Sequence, residues 1–185
     1  MKWYPPTFVI LLFSLSSYSQ SLNRNWSSEL DSSLEKFKNC QDEESEISCQ
    51  QFPGRSLDTV YDLDDFYKKT EKRYLSSYEI SELLKDNSRW SRLGHAYEPD
   101  ILKQAQDNAN AKKAVVAVYM NEAGEGHMAL ILPGELQPSG SWGLNVPNSA
   151  SFFSKDPSKS YVNKGLSYAF SKKLIKDVLL YTRKY

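Results

Sequence analysis

Gly126-His127-Met128-Ala129-Leu130-Ile131-Leu132-Pro133-Gly134 decides the fold. The run from His127 to Leu132 is short and mostly apolar, and Pro-Gly closes it, which is the pattern of a buried strand. Residues 121–126, Asn-Glu-Ala-Gly-Glu-Gly, supply turn chemistry in front of it. Before that turn, Lys113-Ala114-Val115-Val116-Ala117-Val118-Tyr119 is a β-branched apolar run, hence another buried strand. Ser141-Trp142-Gly143-Leu144-Asn145-Val146 reads as a third strand and Asp177-Val178-Leu179-Leu180-Tyr181 as the last. The expected sheet is antiparallel and uses about 114–119, 127–132, 141–147 and 177–182.

Upstream of residue 113 the apolar period is helical. Trp26, Leu30, Leu34 and Phe37 recur at spacings of four, four and three, which predicts a helix over 23–38. Residues 39–49 are polar and acidic and read as a loop. A second helix is expected over 56–68 with Ser56 as its N-cap. Ser76 with Glu79 forms a capping-box pattern ahead of Ile80, Leu83 and Leu84. A helix is also expected over 99–112, with Pro99 in its first turn. Helices first and strands later define an α+β fold, with N-terminal helices packed on a C-terminal antiparallel β-sheet.

The chain has 185 residues, 40% of them hydrophobic and 13% aromatic, which is enough apolar material for one core. Lys and Arg (23) balance Asp and Glu (23). A balanced chain has no global field to hold nucleic acid, so no nucleic-acid partner is expected. Residues 1–19 have the three-part layout of a secretory signal peptide: Lys2, an apolar run from Thr7 to Leu15, and small residues ending at Ser19. An uncleaved N-terminal anchor is the alternative reading. The run is short for a bilayer crossing of ~20 residues and nothing later resembles one, so no stable membrane insertion is expected. The expected localisation is secreted or periplasmic. The expected organisation is a signal peptide at 1–19, an N-terminal helix and loop at 20–48, and an α+β domain at 49–185.

Two His and two Cys carry most of the possible chemistry. Cys40 and Cys49 lie nine apart, and His95 and His127 have no paired-ligand spacing, so no metal site and no cofactor are expected. His127 opens a strand directly after Gly126, where an imidazole at a sheet end can act as a general base or merely start the strand. His95 follows Gly94 in a polar loop before a helix and reads as a surface or capping residue. Cys49 is the candidate nucleophile, since Ser48-Cys49-Gln50-Gln51-Phe52 puts a thiol at the start of a helical turn. An exported chain with two Cys also tends to pair them, and a Cys40–Cys49 bridge would remove that nucleophile.

Several segments together resemble bacterial papain-like amidases and peptidases of the NlpC and CHAP type. They are Cys49-Gln50-Gln51-Phe52, Trp90-Ser91-Arg92-Leu93-Gly94, Ala105-Gln106-Asp107-Asn108-Ala109-Asn110, Val115-Val116-Ala117 and, most specifically, the Gly126–Gly134 run. The resemblance spans roughly residues 49–185. It implies a papain-like fold, Cys49 as nucleophile, His127 as base, and a third polar residue from the next strand that orients the imidazole. If 127–132 and 141–147 form a hairpin, Asn148 or Asn145 faces His127, with Asn148 preferred. The implied substrate is a peptide or the amide bonds of peptidoglycan, cleaved through a thioester. Pro53-Gly54 departs from the pattern, because a continuous helix normally follows the nucleophile and Pro-Gly breaks helices.

The expected function is thus a secreted cysteine hydrolase of amide or peptide bonds. The alternative is a non-catalytic exported binding module on the same scaffold, stapled by Cys40–Cys49. Trp142, Phe152, Phe153 and Tyr161 are then candidates to line a ligand surface or to fill the core. A small secreted inhibitor is a third reading, supported only by size.

Overall fold

The computed structural model of the chain describes residues 21–40 and 48–185. The expected signal peptide at 1–19 and the middle of the expected loop, 41–47, lie outside the described residues. Helix α1 (Trp26–Lys38) buries Leu30 and Phe37. A single 3-10 turn, Cys49–Gln51, runs directly into α2 (Phe52–Tyr61). This helix begins before the Pro53-Gly54 pair rather than near Ser56. Proline in a first turn has no intrahelical N–H bond to lose, so the pair sits inside a continuous helix without breaking it. The helix also stops early, at Asp62, whose φ of 53° ends the turn. Residues 62–66 are therefore a connection, and 67–68 form a strand rather than helix.

A two-stranded hairpin, β1 (Tyr67–Lys68) with β2 (Arg73–Tyr74), leads to α3 (Ser77–Asp86). The capping box forms as read: Ser76 Oγ accepts from the Glu79 N–H, and the Glu79 carboxylate accepts from the Ser76 N–H at 2.9 Å. Next come β3 (Trp90–His95) and α4 (Pro99–Asn110), the latter with Pro99 in its first turn. The remaining strands are β4 (Val115–Met120), β5 (Gly126–Ile131), β6 (Gln137–Ser139), β7 (Leu144–Val146), β8 (Asn148–Ser151), β9 (Tyr161–Gly165) and β10 (Leu179–Arg183). Five of them join β3 in one antiparallel sheet of order β3-β10-β4-β5-β8-β9.

The fold is α+β, with helices on both faces of that sheet. Side chains alternate across a strand, so β5 divides its residues between two cores. Met128, Leu130 and Leu132 pack with the residues of α1, α2 and α3; Ala129 and Ile131 pack with α4. The sheet is joined to α2 by a long-range bond, Tyr61 OH donating to Ile131 O at 2.8 Å.

Three expectations change. Residues 144–146 pair with 137–139 in a separate small hairpin, and the neighbour of β5 in the main sheet is β8. A strand, β3, lies among the helices before residue 113, and His95 ends it rather than sitting in a loop. The C-terminal strand begins at Leu179, slightly later than expected.

Candidate functional site

His127 is the second residue of β5 and shares its face with Ala129 and Ile131, because the β4–β5 register runs unbroken from 126 to 131. Its Nε2 lies 2.8 Å from Ser151 Oγ on β8. Its ring stacks on Phe153 at 4.2 Å between centroids and meets Phe170 edge-on at 5.4 Å. Burial among these rings disfavours the imidazolium and pulls the His127 pKa down to about 4. The ring lines a cavity of about 290 Å³, walled also by Tyr119, Phe153, Phe170 and Leu174. An ion pair between Lys155 and Glu125 stands at its rim.

Cys49 lies elsewhere. Its sulfur is bonded to Cys40, so the bridge ties the end of α1 to the start of α2. Cys49 packs in the core with Met128, Leu130 and Phe152, the residues on the other face of the sheet from His127. A nucleophile–base pair therefore does not assemble, and the reason is strand parity. Had the imidazole occupied position 128, it would have faced the core that holds Cys49.

Asn148 does not orient His127 either. The β5–β8 register pairs Ala129 with Ser151, and the Leu132 N–H donates to Asn148 O at 2.9 Å. Asn148 thus stands at the opposite end of the strand pair, five positions from His127, or roughly 17 Å at the rise of a strand. Its carboxamide donates to Pro133 O at 3.0 Å and to Asn163 Oδ1 at 3.1 Å, and accepts from Gln137 Nε2 at 3.1 Å. Its backbone N–H donates to Gln106 Oε1 at 2.8 Å. Each of these bonds secures a chain crossing, so Asn148 is structural. Asn145 is exposed on β7 and pairs with Pro138 across the small hairpin.

Ser151, not an asparagine, is the partner of the imidazole. It is 1% exposed and does not line the cavity, so no carbonyl can reach its hydroxyl for attack. Of the four aromatic candidates only Phe153 lines the cavity. Phe152 packs edge-on against Phe37, Trp142 donates its indole N–H to Phe170 O, and Tyr161 OH meets Ser149 Oγ.

A larger hollow of about 570 Å³ lies between the β1–β2 hairpin and α3. Its charged lining is already neutralised locally: Lys69 pairs with Asp64, Glu79 with Arg73, Glu82 with Lys85, and Arg89 with Asp65. The His127 cavity is smaller but combines aromatic and aliphatic walls with a few polar groups, the usual composition of a ligand site. Among the described residues no three His, Cys, Asp or Glu side chains converge to hold a metal ion, and no helix is long and apolar enough to cross a membrane. Comparison with known proteins returns no matching family model and no matching curated protein.

Proposed function

We propose that the chain is an exported, non-catalytic binding module on a papain-like scaffold, capturing peptide or peptidoglycan without cutting it. One observation carries the reading: the only candidate thiol at a helix start is held in the Cys40–Cys49 bridge, across the sheet from His127. Thioester chemistry needs a thiolate beside its base. The signal-like residues 1–19 support export, as does a bridge of the kind that persists in oxidising compartments. A helix that follows Cys49 and packs on a sheet whose strand opens with Gly-His supports the scaffold.

Sedimentation with purified peptidoglycan sacculi, with amine release measured in parallel, tests both halves. The expected result is co-sedimentation with no release of amines, in the presence or absence of reductant. Amine release that disappears in Cys49→Ala would restore the hydrolase, and failure to co-sediment would remove peptidoglycan as the ligand.

A further inference from the structure

The network around His127 fixes which of its nitrogens is available. Ser151 Oγ has one proton and two neighbours, Met128 O at 3.1 Å and His127 Nε2 at 2.8 Å. A carbonyl oxygen can only accept, so the hydroxyl proton goes to Met128 O. Ser151 must then accept from His127, which places the imidazole proton on Nε2 and leaves a lone pair on Nδ1. That atom has no hydrogen-bond partner among the described residues. It is not sealed in, because among the described residues the one buried side-chain polar atom without a partner is His95 Nδ1. The cavity lined by His127 therefore presents this acceptor beside the rings of Tyr119, Phe153 and Phe170, with Asn121, Glu125, Ser154 and Lys155 completing the lining.

We propose that this cavity takes one neutral aromatic group bearing a single N–H or O–H donor, a phenol or an indole, with the donor on His127 Nδ1. A volume of about 290 Å³ suits one ring rather than a larger ligand. The face of Phe153 and the edge of Phe170 already set by His127 show that the walls accept stacked and edge-on rings. Glu125 and Lys155 are already paired with each other at the rim, and a purely aliphatic group leaves Nδ1 unpaired. The inference rests on the binding-module reading and deepens it: the group is the side chain of a tyrosine or a tryptophan in the captured peptide.

The test is an NMR titration of the full chain at pH 7 with p-cresol and with toluene, which differ only in the donor. One hydrogen bond predicts that p-cresol binds about five- to tenfold more tightly. It should also move the His127 Nδ1 resonance, while toluene leaves it in place. Equal affinities, or no binding by either compound, would overturn the proposal. His127→Phe should bring p-cresol to the toluene affinity. That variant strips Ser151 of its partner and can cost folding, so the tautomer is read directly in the unmodified chain from long-range ring couplings. A proton on Nδ1 instead of Nε2 would overturn the proposal by itself. Sacculus binding without a p-cresol preference would sink this inference and leave the module reading intact. A p-cresol preference without sacculus binding would leave this inference standing and remove only peptidoglycan as the ligand.

Discussion

Arg183, on the last strand, closes on Asp65, 118 residues earlier, with Nε at 2.9 Å from Oδ2 and Nη2 at 3.1 Å from Oδ1. The Asp65 side chain is 2% exposed and also accepts from the Trp90 indole N–H at 3.0 Å. One carboxylate therefore joins the segment after α2 to both β3 and β10. Arg89 adds a longer contact from the rim at 3.5 Å.

Removing that carboxylate leaves a partly buried guanidinium and a buried indole N–H without their acceptor. Asp65→Ala should cost about 3–5 kcal/mol, the usual penalty for breaking rather than replacing a buried pair. For a chain of this length that lowers Tm by roughly 6–20 °C. Thermal unfolding checks it, and a shift within 2 °C would mean that solvent replaces the carboxylate.

The Cys40–Cys49 bridge should stabilise through the unfolded chain. Closing a loop of about ten residues is worth ~2–3 kcal/mol in the chain-entropy account. Thiol titration of the denatured protein without reductant should find no free thiol. The double variant Cys40→Ala/Cys49→Ala should fold with its denaturant midpoint lowered accordingly. Titration of two thiols would show that the bridge is absent in solution.

His127 should remain neutral far into the acid range. Its folded pKa, about 4, lies below the ordinary value of ~6.5, so between these values the unfolded chain binds more protons than the folded one. The contribution of the half-buried neutral ring is thus fully present above pH ~6.5 and is lost as pH falls toward 4. Carboxylates also titrate at the acid end, so the ring itself must be followed by NMR. A midpoint near 6.5 would show that the ring is solvated. Ser151→Ala leaves the Nε2 proton without an acceptor and should cost about 1–3 kcal/mol.

The sequence discloses elements whose apolar residues keep a period. The helices at Trp26–Lys38, Ser77–Asp86 and Pro99–Asn110 and the strands at Val115–Met120 and Gly126–Ile131 are legible for that reason. Strand β8, Asn-Ser-Ala-Ser, is not, because Ser149 and Ser151 reach the buried face with their hydroxyls spent on Lys164 O, Tyr161 OH, Met128 O and His127. Missing β8 shifts the presumed partner of β5 and selects an asparagine at the wrong end of the strand. The position of His127 at the head of a strand is legible, since a Gly-His opening an apolar run is a local feature. The alternation from His127 to Leu132 carries the face of the imidazole but not that of Cys49. Which of the two cores receives the α1–α2 bridge is a tertiary fact.

Gly54 sets helix propensity against packing. It lies in the first turn of α2, and in a helix interior alanine is favoured over glycine by about 1 kcal/mol. A Cβ at this position would lie 2.5 Å from Leu75 O, 3.1 Å from Leu75 N and 3.2 Å from Tyr74 Cβ. Two of these three atoms are backbone, and they are pinned. The Leu75 N–H donates to Phe66 O at 2.8 Å, and the Tyr74 N–H donates to Gln51 Oε1 at 3.1 Å. The helix cannot easily retreat, because Tyr61 OH fixes its far end to Ile131 O. Overpacking typically costs about 1–3 kcal/mol, and a 2.5 Å approach to a pinned backbone oxygen puts this site at about 2–3, so after the helix gain of about 1, Gly54→Ala should destabilise by about 1–2 kcal/mol. Gly140→Ala is the control: nothing lies within 4 Å of its Cβ, and its effect should stay within about 0.5 kcal/mol. Denaturant midpoints for the two variants decide the matter. A stabilised Gly54→Ala would show that the β1–β2 hairpin gives way to the helix, and that the close approach of α2 to Leu75 is not what selects glycine there.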